Sequence, residues 1–199
     1  MNKYDPNKHH RRSIRLKGWD YRAAGYYFVT ICSYQREHSF GYVIDGEVVL
    51  SELGKIIMDE WLQTAVIRPH ITLDQFMIMP NHLHGILIFE NPTEPTVGAS
   101  GSLAHERDNP STSGRTTGTP LQNGSLGQVI GQFKSVVTKR YNKLQNAKGI
   151  KIWQRGYYER IVRNERELNA IRKYILENPA RWAEDRDNLD VLLGKMNGR

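Results

Sequence analysis

Apolar residues recur along this chain with two different spacings, and each spacing predicts a different kind of element. Short apolar runs bounded by turn residues predict β-strands, and Asp45-Gly46 between two such runs predicts a hairpin. Apolar residues three and four positions apart predict helices, one of them capped by Ser51. The predicted strands span residues 26–33, 40–44, 47–50, 71–79, 82–89 and 157–162, and the predicted helices follow residue 51 and span 126–144 and 164–178.

The order of these elements predicts an α+β fold. Strands and helices follow one another as βββα-ββ-α-β-α, which is typical of an antiparallel β-sheet with helices packed on it. We therefore expect a sandwich of the ferredoxin-like kind. The runs at 71–79 and 82–89 are apolar on both faces, which predicts two strands at the centre of a sheet that helices cover.

Length and composition predict one domain with three less structured parts. The chain has 199 residues, enough for a single domain over 1–199 with a sizeable core. Residues 92–124 are rich in Thr, Ser, Gly and Pro, which predicts a flexible low-complexity insert. Residues 1–22 form a basic N-terminal arm, and residues 180–199 form a charged C-terminal tail.

The charge of the chain favours a polyanionic partner. The formal net charge is +7 and the sequence pI is about 9.5. In the basic arm, Trp19 and Tyr21 interleave stacking surfaces with the charge, which favours nucleic-acid contact over a purely solvated tail. No apolar run approaches the roughly 18 residues that a membrane span requires, so we expect no membrane partner. A single cysteine, Cys32, excludes an internal disulfide, and we expect a cytoplasmic location.

Two histidines mark the start of the apolar run at 82–89. His82 and His84 are two residues apart, so in a strand they project from the same face. Two neutral imidazoles on one face can form half of a metal site. A structural histidine beside a partly exposed one explains the spacing as well, because such pairs arise often by chance.

The last predicted helix has both ends marked in the sequence. Asn164 is a suitable N-cap, Glu167 lies where a capping box needs it, and Pro179 prevents continuation. Tyr174 and Asn178 are four residues apart and so lie on one helical face, which brings a phenol and an amide oxygen together. The structural alternative is that Tyr174 borders the core and Asn178 caps the helix end.

The two motifs together resemble those of a known family. A histidine–hydrophobic–histidine run followed far downstream by Tyr-x-x-x-Asn on a helix is similar to the single-tyrosine HUH nucleases. The chain most closely resembles the REP-associated tyrosine transposases and their relatives among the transposases of short insertion sequences. The resemblance covers about residues 9–91 and 125–182. Similar runs occur at His9–Gly18, Tyr27–Cys32, Met79–Gly85 and Trp153–Tyr158.

This resemblance implies a single-stranded DNA endonuclease and strand transferase that acts on hairpin DNA. Tyr174 would be the nucleophile that forms a 5′-phosphotyrosine link, and His82, His84 and Asn178 would bind a divalent metal. Mg²⁺ or Mn²⁺ suits this mixed set of nitrogen and oxygen ligands. Relatives include monomers and homodimers, so either state is implied. The expected DNA-binding residues are Arg11, Arg12, Arg15, Lys17, Lys134, Lys139, Arg140 and Arg155.

The sequence leaves the nucleophile and the chemistry open. Tyr141 is followed four residues later by Gln145, which repeats the tyrosine–amide spacing on the preceding predicted helix. The resemblance favours Tyr174, because the family's nucleophile follows the segment that Trp153 begins here. Two other functions stay open: a metal-dependent nuclease that activates water, and a non-catalytic DNA hairpin-binding module.

Overall fold

The computed structural model describes residues 16, 18–90 and 124–182. Two short 3₁₀ turns, Tyr34–Arg36 and Pro179–Arg181, accompany the strands and helices of this part of the chain. The helices are α1 (Glu52–Val66), α2 (Leu126–Leu144) and α3 (Glu165–Glu177). The strands are β1 (Gly25–Cys32), β2 (Gly41–Ile44), β3 (Glu47–Leu50), β4 (Ile71–Met79), β5 (His82–Phe89) and β6 (Tyr158–Val162).

The main sheet has four strands in the order β4-β5-β1-β6, and each neighbouring pair is antiparallel. Strands β2 and β3 form a separate hairpin around the predicted Asp45-Gly46 turn. Without this hairpin and α3, the element order is β1-α1-β4-β5-α2-β6, which is the split βαβ arrangement of ferredoxin-like folds. The predicted α+β class and the antiparallel sheet with helices are confirmed.

The prediction that residues 71–79 form a central strand is wrong. Strand β4 lies at the edge of the sheet, and β5 separates it from β1. It is nevertheless apolar on both faces, because α1 packs on one face of the sheet and α3 on the other, and both contact β4. Apolar residues on both faces of this strand therefore indicate that helices cover both faces. They do not indicate that the strand has hydrogen-bonded neighbours on both sides.

Alternation along β1 divides the core between the two faces of the sheet. Tyr27, Val29 and Ile31 pack in the larger cluster, which α1 and α2 cover. Phe28 points the other way and packs in a smaller cluster with α3. The α3 side chains in that smaller cluster are Leu168, Ile171 and Ile175, as the helical spacing predicts.

The start of α3 differs from its sequence prediction in one respect. Asn164 is the N-cap, and its side chain accepts a hydrogen bond from the backbone N–H of Glu167. The predicted capping box does not form, because the Glu167 carboxylate accepts instead from Nε of Arg160 at 2.6 Å and from the backbone N–H of Arg163 at 2.9 Å. Glu167 thus ties α3 to β6. A reciprocal capping box forms at the start of α2, between Ser125 and Gln128.

We expect Gly85→Ala to destabilise the protein by about 1–3 kcal/mol, because a Cβ at this position overpacks the core. Such a Cβ would lie 2.4 Å from Cζ2 of Trp61, whose side chain is fully buried. The free energy of unfolding in urea measures the effect.

Gly131→Ala is the matched control for this substitution. Gly131 lies in α2, and a Cβ there would meet no atom within 4 Å. This variant should be unchanged or up to about 1 kcal/mol more stable, because alanine favours a helix. Equal stability of the two variants would contradict the packing argument.

Candidate active site

The strand β5 presents both histidines on the face of the sheet that α3 covers. His82 and His84 pair with Cys32 and Thr30 of β1, and their ring centroids are 4.3 Å apart. Each residue is only 1% exposed. Burial favours the neutral form of an imidazole, because a charged imidazole would lose the free energy of its hydration.

Hydrogen bonds to Nδ1 orient both imidazole rings. Nδ1 of His82 lies 2.7 Å from Oδ1 of Asn81, and since an amide oxygen only accepts, Nδ1 carries the proton and Nε2 the lone pair. Nδ1 of His84 lies 2.9 Å from the hydroxyl oxygen of Thr30. With the proton of His84 also on Nδ1, both rings present Nε2 lone pairs, as in metal sites whose outer hydrogen bonds fix the tautomer.

The environment of His84 keeps this imidazole neutral. Burial, the neighbouring His82 and the positive charge of Arg36 hold the pKa of His84 well below its ordinary value. Phe28 stacks on the ring with centroids 5.4 Å apart. A neutral imidazole is the form that binds a metal ion.

Helix α3 brings the predicted tyrosine to this pair. The hydroxyl oxygen of Tyr174 lies 3.3 Å from Nε2 of His84, and the two ring centroids are 5.2 Å apart. Tyr174 is half-buried at the edge of the smaller core cluster. The phenol therefore lies directly against the histidine nitrogen that can bind a cation.

Asn178, one turn after Tyr174, has a buried side-chain oxygen without a hydrogen-bond partner among the described residues. The residue is 2% exposed, and the buried atom is Oδ1. A buried amide oxygen that lacks a partner costs stability, and a hard cation would satisfy it. No group of three His, Cys, Asp or Glu side chains suited to a metal occurs in the described part of the chain. The two histidines and this amide could supply two nitrogen donors and one oxygen donor to a divalent cation, and such a set suits Mg²⁺ or Mn²⁺ better than structural zinc.

An ion pair fixes α3 over the sheet. A β-bulge between Leu73 and Phe76 breaks the register of β4 with β5. Asp74, in this bulge, accepts hydrogen bonds from Nε and a terminal nitrogen of Arg172 at 2.5 to 3.1 Å. Arg172 lies two residues before Tyr174, so the bulge helps to set the position of the phenol.

The rival tyrosine lies on the opposite side of the sheet. Tyr141 is half-buried and packs against the larger core cluster under α1 and α2. Gln145 is the C-cap of α2 and is exposed. Of the two tyrosines, only Tyr174 is close to the histidine pair.

The described residues among the expected DNA contacts have different environments. Lys134 is half-buried, and its ammonium donates to the backbone oxygens of Gln154 and Gly156 at 2.8 and 3.0 Å. Burial lowers the pKa of Lys134. Arg140 is exposed and forms ion pairs with Asp59 and Glu60 of α1. These contacts join α2 to the 153–156 segment and to α1.

Lys139 and Arg155 are exposed and remain candidates for DNA contact. Arg11, Arg12, Arg15 and Lys17 lie outside the described residues, as do most of the arm, the insert and the tail. Among the helices that the structure describes, none has the length and apolarity to cross a membrane.

Several residues around the site escape prediction from sequence. The Thr30 hydroxyl contacts Nδ1 of His84 because the two residues are paired on neighbouring strands. A sequence pattern does not specify which residues of two strands are paired. Trp182 lies next to the histidines, with its ring centroid 6.0 Å from that of His82 and 5.3 Å from that of His38. The only sequence signal for Trp182 is an aromatic residue shortly after the tyrosine helix.

We expect Asp74→Asn to lower stability at neutral pH by about 1–2 kcal/mol, with the partial exposure of Arg172 limiting the loss. Burial raises the pKa of Asp74, but hydrogen bonds from Arg172 and from the Gln75 backbone, with the Arg172 charge, bring it below its ordinary value. A carboxylate whose pKa is lower in the folded state than in the unfolded state stabilises the fold at pH values above the unfolded-state pKa. This contribution is lost as the pH falls through the folded-state pKa.

The difference between wild type and Asp74→Asn should therefore shrink on acidification below about pH 4. Urea unfolding across this pH range measures it. Asp59→Asn is the control, because Asp59 is exposed and makes a long 3.4 Å contact to Arg140. A difference for Asp74→Asn that does not depend on pH would contradict the ion-pair argument.

Comparison with known proteins finds a relative in sequence and a solved structure of similar fold. No family model matches the chain. A solved structure of a REP-associated tyrosine transposase bound to a REP hairpin superposes with a TM-score of 0.50 and 13% identity, over 86% of this chain and 74% of that one. At this identity the similarity concerns the fold, which is transposase-like.

The sequence relative is an uncharacterized protein of Haemophilus influenzae. It is 37% identical over 190 residues, which cover 94% of this chain and 98% of the relative. Identity at this level over nearly the full length of both proteins places them in one family. The chain belongs to the protein family of this Haemophilus influenzae protein.

Proposed function

We propose that this protein is a single-stranded DNA endonuclease and strand transferase of the single-tyrosine HUH type, acting on hairpin DNA. The observation that carries the proposal is the 3.3 Å contact between the Tyr174 hydroxyl and Nε2 of His84. This contact unites a nucleophile with a buried histidine pair on one face of the sheet. Tyr174 and His84 are 90 residues apart in the sequence. A chance spacing inside one of the two motifs would not bring these two side chains together.

The proposed reaction is a transesterification. The hydroxyl oxygen of Tyr174 attacks the phosphorus, and a bond between them forms as the bond to the 3′-oxygen breaks. The phenolic proton is lost to solvent, and the departing 3′-oxygen takes up a proton. One phosphoester bond replaces another, so a 3′-hydroxyl of a second strand can reverse the step and join new ends without ATP.

The residues that would hold a divalent cation are His82 and His84 through Nε2 and Asn178 through Oδ1. When bound, the cation supplies positive charge to the phosphate oxygens and favours the ionised form of the phenol. The protein contributes orientation: Asn81 and Thr30 fix the two imidazoles, and the apolar face of α3 fixes the phenol. Three protein ligands would leave positions on such a cation open to phosphate oxygens.

A groove beside α3 has the charge and position to bind a DNA strand near Tyr174. Its volume is about 520 Å³, and Tyr174 forms part of its wall. Arg166, Lys173 and Arg181 supply three positive charges against the single carboxylate of Glu177. A positive groove that leads to a nucleophile suits a flexible single strand, whose backbone can follow it.

Hairpin DNA is the proposed substrate for two reasons. The structure with the similar fold holds a REP hairpin, and the net charge of +7 favours a nucleic acid. A single strand folded back on itself offers a duplex to bind and an unpaired flank to cleave. A water-activating nuclease and a non-catalytic hairpin-binding module are the competing functions, and each gives a different result in the following experiment.

We expect Tyr174→Phe to reduce the covalent protein–DNA adduct by more than about 10³-fold, because phenylalanine keeps the packing and removes the attacking oxygen. The measurement is a denaturing gel with an end-labelled single-stranded REP-type hairpin and Mn²⁺. Tyr141→Phe is the matched control, since it removes a tyrosine hydroxyl on the other side of the sheet.

Three outcomes of this gel distinguish the functions. An adduct lost with Tyr174→Phe and kept with Tyr141→Phe supports the proposal. Cleavage that persists in Tyr174→Phe without an adduct indicates water as the nucleophile. Tight hairpin binding with neither cleavage nor adduct in the wild type indicates a binding module.

We expect His84→Ala and Asn178→Leu each to weaken Mn²⁺ binding by about 100-fold or more. Mutation of a residue that only hydrogen-bonds to a metal ligand typically weakens metal binding by about 10–100-fold, and removal of the ligand itself should cost more. Asn178→Asp keeps an oxygen donor and should retain binding. Titration calorimetry without DNA measures affinity separately from catalysis, and thermal melting verifies that each variant folds. His70→Ala is the control, because His70 lies in the turn before β4 and packs against Phe89, away from the pair. Unchanged Mn²⁺ affinity in both ligand variants would rule out this metal site.

A further inference from the structure

Aromatic rings form a continuous row across the candidate site. The phenol of Tyr174 packs on His84, and His84 packs on His82, with ring centroids 5.2 and 4.3 Å apart. The row continues to Trp182, 6.0 Å from His82, and from there to His38, 5.3 Å from Trp182. The proposed function uses Tyr174 and the two inner histidines, but it gives no role to Trp182 and His38.

The backbone after α3 sets the position of Trp182. Asn178 keeps helical angles, with φ −57° and ψ −43°, and the 3₁₀ turn Pro179–Arg181 follows it directly. The backbone N–H of Trp182 donates to the oxygen of Pro179 at 3.3 Å, and Pro179 is buried. The backbone therefore stays helical from Tyr174 to Trp182, and the indole lies about one turn beyond the candidate amide ligand.

Hydrogen bonds fix the loop that carries His38 against the indole. Before His38, the Ser33 hydroxyl donates to the backbone oxygen of Glu37 at 2.7 Å. After it, the backbone N–H of Phe40 donates to the oxygen of Pro80 at 2.9 Å, which ties the loop to the turn before β5. The position of His38 is thus set on both sides, although the residue is exposed.

Trp182 and His38 lie at the surface and not in the core. Of the two hydrophobic clusters formed by the described residues, neither includes Trp182. Trp182 is half-buried, so part of the residue remains in contact with solvent, and His38 is exposed. A large aromatic ring held outside the core at a fixed position suits a ligand with a flat apolar face.

The positive groove beside α3 leads to these two rings. Arg181, which directly precedes Trp182, lines this groove together with Tyr174. The Arg181 side chain is 63% exposed and pairs with Glu177 at 3.1 Å. Positive charge for a sugar-phosphate backbone and an aromatic ring for a base therefore lie next to each other, which is the combination that binds single strands.

We infer that Trp182 is a base-stacking residue, which holds an unpaired nucleotide next to the phosphate that Tyr174 attacks, and that His38 supports the indole. The inference rests on the proposed function, because it requires single-stranded DNA in the groove. A nucleobase fits this position because its flat π-face stacks on an indole whatever its sequence. In a duplex the neighbouring bases cover both faces of each base, so the indole favours the unpaired flank of a hairpin.

Two fluorescent hairpins with the same duplex stem test this assignment. One carries unpaired thymidines on both sides of the stem, and the other carries abasic residues there, which keep the phosphates and remove the bases. We expect Trp182→Ala to weaken binding of the thymidine hairpin by about 5–100-fold, and binding of the abasic hairpin by less than about twofold. Fluorescence anisotropy measures both affinities without added metal, because the proposed cleavage requires metal. Thermal melting verifies that the variant folds.

Tyr26→Ala is the matched control for the loss of an aromatic ring. Tyr26 is 38% exposed and lies on the same face of the sheet, but it pairs with Ile88, at the end of β5 distant from His82. This variant should keep the wild-type preference for the thymidine hairpin. Trp182→Phe should keep part of the preference, because phenylalanine also offers an aromatic face.

Tryptophan fluorescence gives a second readout, which uses the conservative variant. A base stacked on an indole quenches its emission, so the thymidine hairpin should quench the wild type more than the abasic hairpin does. This extra quenching should fall in Trp182→Phe, which keeps the other tryptophans. Equal extra quenching in the two proteins would contradict the assignment. This measurement decides the question if Trp182→Ala does not fold.

The binding results separate this inference from the proposed function. A loss of affinity restricted to the thymidine hairpin supports the stacking assignment. An equal loss with both hairpins, or no loss with either, overturns it, because Trp182 then only shapes the site or does not contact the DNA. A wild type that binds neither hairpin overturns the proposed function and this inference together. Stacking in a protein that forms no adduct supports the assignment and overturns strand transfer alone.

Discussion

The antiparallel pairing of β5 with β1 is the constraint on which the site depends. This register sets His84 opposite Thr30 and His82 opposite Cys32. A shift by one residue would turn both histidines to the other face of the sheet, where α1 and α2 pack. The same pairing brings the turn after β1 to the side of His82. One ladder of backbone hydrogen bonds thus positions both histidines and the threonine that orients His84.

The second component of the site is the tyrosine helix, and different forces hold it. Its apolar stripe packs on Phe28 and Ile86, and the Arg172–Asp74 ion pair fixes its rotation above β4. Glu167 joins its first turn to β6 through Arg160. Hydrophobic packing alone is not directional, so the two ion pairs give the helix a defined orientation. The distance between Tyr174 and His84 depends on all of these contacts.

Much of the fold and the centre of the site follow from local sequence signals. Period and turn residues predict every strand and helix of the described chain to within a few residues, and the family resemblance selects His82, His84, Tyr174 and Asn178 as candidate site residues. Non-local features could not be predicted in this way. The edge position of β4, the use of Glu167 by β6 and the burial of Lys134 all depend on which segments become neighbours. The left-handed backbone of Gln35 and Arg36, with φ values of 52° and 59°, has no sequence signal, because such backbone usually requires glycine or asparagine.

The position of α3 outside the ferredoxin-like unit has a consequence for the dynamics of the site. The βαββαβ unit keeps its larger cluster beneath α1 and α2, whereas α3 covers the smaller cluster on the opposite face. The helix can therefore separate in a sub-global opening that leaves the histidine strand folded. Such an opening would withdraw Tyr174 and Asn178 together, because Asn178 caps the helix that carries Tyr174. The open and assembled states of the site would then differ by the docking of a single helix.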